Sequence, residues 1–284
     1  MAGLRPEPTA RQMRLGTELR RLREAADITG REAAAMLGVS SAQISQIEAA
    51  LTGVSEKRLR SMAANYSCSD EELISALVRM ATDRTRGWWE EYRGQLPTSF
   101  LDLSELEHKA TFRWDLDLLH VSGLLQTEDY ARALFSTRIP ELPDTDLDLR
   151  VRHRMQRRVI LEGATPIPYK AVIHEAALRI SVGGRAAAQA QLARILELSE
   201  ADHISVRVIP FALERFDDTG SAMIYAGGSI PKLDTVVRDG PHGTAFVDSE
   251  AQLGVFRTLF RRVEAVSLDP ERSRDLIHKL TKEL

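Results

Sequence analysis

Apolar residues recur at helical spacing through the N-terminal quarter of the chain. Leu15, Leu19, Leu22 and Ala26 fall on one side of a helix predicted from about Arg11 to Ala26. Two short patterns follow, one on each side of Gly38-Val39-Ser40. In the first, Thr29 precedes Glu32 at the spacing of a capping box, and Ala33, Ala34 and Leu37 make the apolar stripe. Gly38 stands where the chain must leave that helix, in a left-handed conformation that glycine adopts cheaply. In the second, Ser40 or Ser41 can cap a helix whose Ile44 and Ile47 turn inward. Ser55 opens a fourth helix with Leu59, Met62, Ala63 and Tyr66 as its core stripe. Ser69-Asp70-Glu71-Glu72 reads as a capping box opening a fifth, with Leu73, Ile74, Leu77 and Met80 inward.

The second short helix leaves Ser41, Gln43, Ser45 and Gln46 toward solvent. An exposed face of hydroxyls and amides, in place of Lys/Glu pairs, suits the reading of base edges. The whole is the pattern of a helix-turn-helix with Ser41–Glu48 as recognition helix. The runs Leu-Gly-Thr-Glu-Leu-Arg-Arg-Leu-Arg-Glu-Ala-Ala (15–26), Thr-Gly-Arg-Glu-Ala-Ala (29–34) and Leu-Gly-Val-Ser with Ile-Ser-Gln-Ile-Glu (37–48) resemble the Xre/lambda-repressor-like family. The resemblance covers about residues 12–80 and implies a five-helix fold whose third helix enters the major groove. Carried over by position, it implies phosphate contacts for Arg31, Ser40 and Ser41, and base contacts for Gln43, Ser45 and Gln46. One departure follows Glu48. Many members carry a glycine, one or two arginines and a proline there, where this chain has Ala50, Leu51, Thr52 and Val54. A cation that would hold the DNA backbone is absent, and a differently shaped loop is expected.

Trp88, Trp89 and Tyr92 cluster in the segment 82–97, and side chains of that size are expected to pack the start of a second domain. A stacking platform for bases is the weaker alternative. Past Pro97, a helix is expected near Leu101–Glu107. Phe112–Asp115 reads as strand or loop, and Thr127 caps a helix. Gly-Leu-Leu-Gln-Thr-Glu-Asp-Tyr-Ala-Arg-Ala-Leu (123–134), Arg150–Arg158, His174–Arg179 and Val206–Pro210 resemble a large, chiefly actinobacterial group. Its members join an Xre-type headpiece to a C-terminal domain of uncharacterised activity. That resemblance implies a transcriptional regulator, often encoded beside a short partner protein in a toxin–antitoxin-like pair. Acid before base along 144–158 matches the helix dipole, so a solvated or salt-bridged helix is favoured there over a partner- or DNA-binding face. Tyr169–His174 and Ile204–Pro210 are β-rich, with helices at Glu175–Ile180 and Arg185–Ser199 between them. Ser221–Ala226, Thr235–Arg238 and Thr244–Val247 read as a meander. Asp248 or Ser249 caps a helix running to about Val266, and Asp269-Pro270 opens the last.

The expected fold is multi-domain, α and α+β: an arm (1–10), a five-helix headpiece (11–81), a connecting segment (82–97) and a mixed α/β domain (98–284). The chain has 284 residues, 43% of them hydrophobic, enough for two cores. No apolar run of about 18 residues, no apolar signal core at the N-terminus and one cysteine, Cys68, give a cytoplasmic expectation without membrane span or disulfide. The net charge of −3 excludes a general nucleic-acid coat. Locally, however, Arg11, Arg14, Arg20, Arg21, Arg23 and Arg31 outnumber Glu18, Glu24 and Asp27, an excess able to hold phosphates.

Seven histidines without His-x-x-x-His spacing, glycine pairs without a following Lys-Ser/Thr and no Gly-x-Ser-x-Gly elbow leave no metal, cofactor or catalytic residue to assign. At 174–175 a core histidine beside a helix-opening glutamate is preferred to catalysis. The function expected is therefore a non-enzymatic, sequence-specific regulator on double-stranded DNA. It is expected to work as a homodimer and to bind a partner or effector through its C-terminal domain. The alternative is an antitoxin-like module that sequesters a small neighbour-encoded protein and binds DNA weakly.

Overall fold

The computed structural model describes residues 8–213, 222–240 and 243–284. The chain divides into two compact units, Met1–Glu91 with Pro97–Glu105, and Tyr92–Leu96 with Leu106–Leu284.

The first unit contains α1 (Ala10–Ala25), α2 (Gly30–Leu37), α3 (Ser41–Glu48), α4 (Glu56–Asn65) and α5 (Glu71–Thr82). Thr9 caps α1 in a full box with Gln12, so Thr9 and Ala10 belong to the helix start and not to the expected arm. Residues 1–7 of that arm lie outside the described residues. The buried side of α1 also differs from the leucine stripe. Leu19 is buried and Leu15 and Leu22 are half-buried, whereas Arg14, Gly16 and Glu18 are buried. The reason is the close approach of α3. A Cβ on Gly16 would lie 2.4 Å from the Glu48 carbonyl oxygen, so only glycine lets the two backbones meet there. Arg14 and Glu18 tolerate burial because they pair at 3.1 Å one helical turn apart.

The ends of α1 to α4 share one geometry. Asp27, Gly38, Ala50 and Ser67 have φ of 57, 63, 59 and 55°. Beyond each, the next amide reaches back to close a six-residue ring: Ile28 to Arg23, Val39 to Ala34, Leu51 to Gln46 and Cys68 to Ala63, at 2.8–3.2 Å. Gly38 thus adopts the left-handed conformation expected of it. The loop after α3 uses the same geometry, although an alanine occupies the glycine's place. At α5 the expected capping box does not form. Asp70 is the cap and accepts from the Leu73 amide at 3.0 Å, which puts Glu72 one position too early to reach back. Trp88–Tyr92 is a short 3-10 helix. Trp88 and Trp89 sit edge to face at 6.0 Å and belong to the first unit, so they do not open the second. Trp89 is buried.

In the second unit, α6 (Thr98–Lys109, its last residues only) leads to β1 (Phe112–Asp117), α7 (Glu128–Ser136), α8 (Asp144–Gln156), α9 (Val159–Glu162) and β2 (Tyr169–His174). Then come α10 (Glu175–Arg179), α11 (Arg185–Leu198), β3 (Ile204–Ile209), β4 (Met223–Gly227), β5 (Thr235–Gly240), β6 (Gly243–Val247), α12 (Glu250–Val266) and α13 (Pro270–Glu283). The six strands form one sheet in the order β3-β2-β1-β4-β5-β6. β1, β2 and β3 run parallel, joined through helices, while β4–β5–β6 is the expected antiparallel meander, docked on the other side of β1. Of the stretch 221–226, Ser221 lies outside the described residues.

Each face of the sheet has its own core. One collects Tyr169, Ala171, Ile173, Val206 and Val208 with Leu124, Leu192, Ile195, Ile277 and Leu280 from the helices. The other collects Leu116, Val172, Met223, Tyr225 and Val236 with Leu253, Phe260 and Val263 of α12. Trp114 stacks at 5.0 Å on both Tyr225 and Phe260, tying α12 to the middle strands.

Candidate nucleic-acid interface

The turn between α2 and α3 is built from local signals. Thr29 and Glu32 close the capping box of α2, and Ser40 and Gln43 close that of α3. Ile44 and Ile47 are buried, which fixes the rotation of α3. With that rotation set, Ser40, Ser41, Gln43, Ser45 and Gln46 are all exposed. Both glutamines are oriented by bonds to their own unit. The Gln43 Oε1 accepts from the Ser40 amide at 3.1 Å, and the Gln46 Oε1 accepts from the Thr52 hydroxyl at 3.4 Å. In each the carbonyl oxygen is thus engaged, and no bond from the amide NH2 joins it to another described residue. Behind the helix, Arg23 grips Glu48 through two bonds of 2.7 and 2.8 Å, a bidentate pair joining α1 to the last residue of α3.

The arginine excess is spent inside the unit. Arg11 pairs with Asp83 and Glu105, Arg14 and Arg21 with Glu18, Arg20 with Glu24 and Arg23 with Glu48. Of the six arginines expected to hold phosphates, Arg31 alone is exposed and forms no ion pair among the described residues. Two cations that sequence reasoning passed over are also free. Lys57 and Arg58, in the first turn of α4, are exposed with no side-chain partner among the described residues. Their signal lay in the sequence, directly behind the Ser55 cap that closes the cation-poor loop.

The second unit hides charge at a stretch that the sequence left open between strand and loop, and that is strand β1. Alternation on β1 puts Phe112, Trp114 and Leu116 on the α12 face and Arg113, Asp115 and Asp117 on the other. Arg113 donates to both Asp115 oxygens at 2.7 and 2.8 Å and also to Glu107. Arg157 donates to Glu107 at 2.8 Å, and the Tyr169 and Ser122 hydroxyls both donate to Asp115 Oδ2. Burial alone would raise the Glu107 carboxyl, but Arg157 and Arg113 hold it below the ordinary range. Burial, and then the neighbouring Asp115, push Asp117 well above its ordinary value, and its Oδ2 is buried without a partner.

The salt-bridged alternative for 150–158 holds at buried Arg157, which pairs with Glu107, and Arg152 stays exposed, while buried His153 makes the helix part of the core. One expectation changes here. His174 is not a core residue. It is half-buried and caps α10, its Nδ1 accepting from the Ala176 amide at 3.2 Å, while Glu175 is buried and accepts from the Phe211 amide at 2.8 Å. No group of three or more potential metal ligands occurs among the described residues, and no helix there is long and apolar enough to cross a membrane.

Comparison with protein families gives two matches. Residues 14–77 match a family described as a helix-turn-helix domain. Residues 100–279 match a domain of unknown function (DUF5753), which is more than half of the chain. The chain belongs to the DUF5753 family. Searches of the curated proteins and of the solved structures return no match. The first unit is thus a helix-turn-helix domain, the kind that binds DNA, and the mixed α/β domain carries the match to the domain of unknown function. The stretches Gly123–Leu134 and Arg150–Arg158 meet in the structure, since Arg154 and Arg158 both bond to Gln126.

Proposed function

We propose that this protein is a sequence-specific, DNA-binding transcriptional regulator that inserts α3 into the major groove. The observation that carries the reading is the division of α3 into a buried Ile44–Ile47 side and an exposed side of hydroxyls and amides. Gln43, Ser45 and Gln46 face the bases; Arg31, Ser40 and Ser41 hold the backbone. Because both glutamine carbonyls are already engaged, their NH2 groups favour acceptor-bearing edges, the O6 and N7 of guanine or the O4 of thymine. Lys57 and Arg58 supply the backbone cations that the loop after α3 lacks. One headpiece of this size offers few contacts, so the protein works as a homodimer on two half-sites about one helical turn apart. The α/β domain performs no catalysis in this reading and takes an effector or a partner protein.

The test is a gel shift on DNA from the protein's own promoter at two salt concentrations. Gln43→Ala and Gln46→Ala lower discrimination between sequences, whereas Arg31→Ala weakens binding to all of them. Unaltered sequence preference in both glutamine variants would refute the assigned face.

One observation favours a second reading. Leu51 is exposed in the loop where a backbone cation is usual, a surface suited to protein contact. The chain would then act as an antitoxin-like partner of a small neighbour-encoded protein. Co-purification of the two without a retarded DNA band would decide for it.

A further inference from the structure

Two neighbouring, half-buried arginines of the second unit take part in none of its ion pairs. Arg154 lies in the last turn of α8 and Arg158 in the turn that joins α8 to α9, and both are half-buried. Nη1 of Arg154 donates to Oε1 of Gln126 at 2.6 Å, and Nη2 of Arg158 donates to the backbone carbonyl of the same residue. Neither forms an ion pair with any described residue, and the Nε of each is buried with no hydrogen-bond partner. The acids that act on Arg154 are Glu107, committed to Arg113 and Arg157, and Asp239, while those that act on Arg158 are Glu162 and Glu197, paired with Arg194, and Glu128, paired with Arg132. A partly buried cation held only by neutral carbonyls is costly, and proteins ordinarily pair it. Burial pushes the Arg154 guanidinium down to about 9.

The place and the shape point the same way. Gly123 and Gln126 belong to the connection that leaves the C-terminal end of β1. β1, β2 and β3 run parallel, so this connection leaves from the end of the sheet where the carboxyl ends of all three strands lie. Open α/β sheets bind ligands outside the carboxyl ends of their parallel strands. A Cβ on Gly123 would lie 3.0–3.2 Å from the Arg154 guanidinium, so the absent side chain lets that group lie against the backbone. The Phe135 ring sits 4.7 Å from its central carbon. Gln126, Gly123 and Phe135 thus hold the donors in one orientation before any ligand arrives.

We propose that Arg154 and Arg158, braced by Gln126, form a binding site for the phosphate group of a small-molecule ligand. Two unpaired guanidinium groups call for about two negative charges, which a phosphate carries and a single carboxylate does not. The site deepens the effector part of the proposed function and rests on it, but it is independent of DNA binding.

The test is calorimetric titration and thermal unfolding of the full chain with inorganic phosphate, with sodium acetate and sodium chloride at matched ionic strength as the other arms. The wild type shows saturable phosphate binding and a Tm that rises with phosphate alone. Arg154→Met and Arg158→Met each weaken binding roughly tenfold or more, as loss of a charge-assisted pair requires. Arg152→Met, an exposed change on the same helix, leaves binding as it was. The decisive reading is stability without phosphate. Arg154→Met matches or exceeds the wild-type Tm, because it removes an uncompensated charge, whereas a purely structural arginine would lower it. Absence of saturable phosphate binding, equal response to acetate, or a Tm loss in Arg154→Met with phosphate binding retained would each overturn the proposal. DNA affinity enters none of these measurements, so failure of the site and failure of the regulator reading remain distinguishable.

Discussion

Ala50 provides the most direct quantitative check on the headpiece. It follows α3 at φ 59°, and the turn closes through Ala50 N–H to Ile47 O at 3.0 Å and Leu51 N–H to Gln46 O at 2.8 Å. A residue with a Cβ pays roughly 1–2 kcal/mol for this conformation. Ala50→Gly removes that cost and returns about 0.4–1 kcal/mol of it through the greater freedom of glycine in the unfolded chain. The methyl is half-exposed, so little burial is lost with it. The net gain is therefore ~0.5–1 kcal/mol, or roughly 2–8 °C for a domain of about 100 residues. Ala50→Val moves the other way, since a β-branched side chain fits the left-handed region worse than alanine does. The assay is calorimetry of the full chain combined with hydrogen exchange on peptides spanning α3 and the loop after it. The required order of stability is glycine, alanine, valine. If the glycine variant proves equal to or weaker than the parent, the left-handed geometry of this turn is wrong, and with it the account of how the chain leaves the recognition helix.

Three further outcomes follow from other parts of the structure. Gly16→Ala forces a Cβ against the Glu48 carbonyl and should cost ~1–3 kcal/mol in denaturant unfolding while weakening DNA binding, because α3 must shift; a variant as stable as the parent would contradict the close approach. His153 is buried, and burial followed by the Arg157 charge holds its pKa near 3, below the ordinary 6.5. As pH falls the unfolded chain takes this proton first, so stability is complete above about 6.5 and is lost progressively toward 3, by about 2 kcal/mol at pH 5. His153→Gln should flatten this loss in urea titrations at pH 7 and 5, and an unchanged difference would count against it. Lys57→Ala and Arg58→Ala should each lower the salt dependence of DNA binding by about one unit of slope without altering sequence preference, read from gel shifts over a salt series.

How far the sequence went depends on the range of the signals. The turn at 29–48 was legible because its determinants are local: two capping boxes, Gly38, and an isoleucine pair at helical spacing. The meander was legible for the same reason, from strand alternation between turn residues. The buried side of α1 was not. It depends on Gly16 meeting the carbonyl of Glu48, thirty-two residues away, and glycine carries no hydrophobic signal. Nor was the polar face of β1. Arg113, Asp115 and Asp117 alternate in the sequence, but charge at every second position ordinarily marks a solvent face.

By itself, then, the sequence determined most of the helices and strands, the caps of α2 and α3, and which short helix presents amides and hydroxyls. Those properties follow from contacts within a few residues. Only the tertiary structure decided which charges are spent and which are left over: that five headpiece arginines are neutralised while Arg31, Lys57 and Arg58 stay free, and that Arg154 and Arg158 meet at Gln126 without a carboxylate. A charge acts according to its distance from the others and its removal from water, and both are set by where the fold carries it.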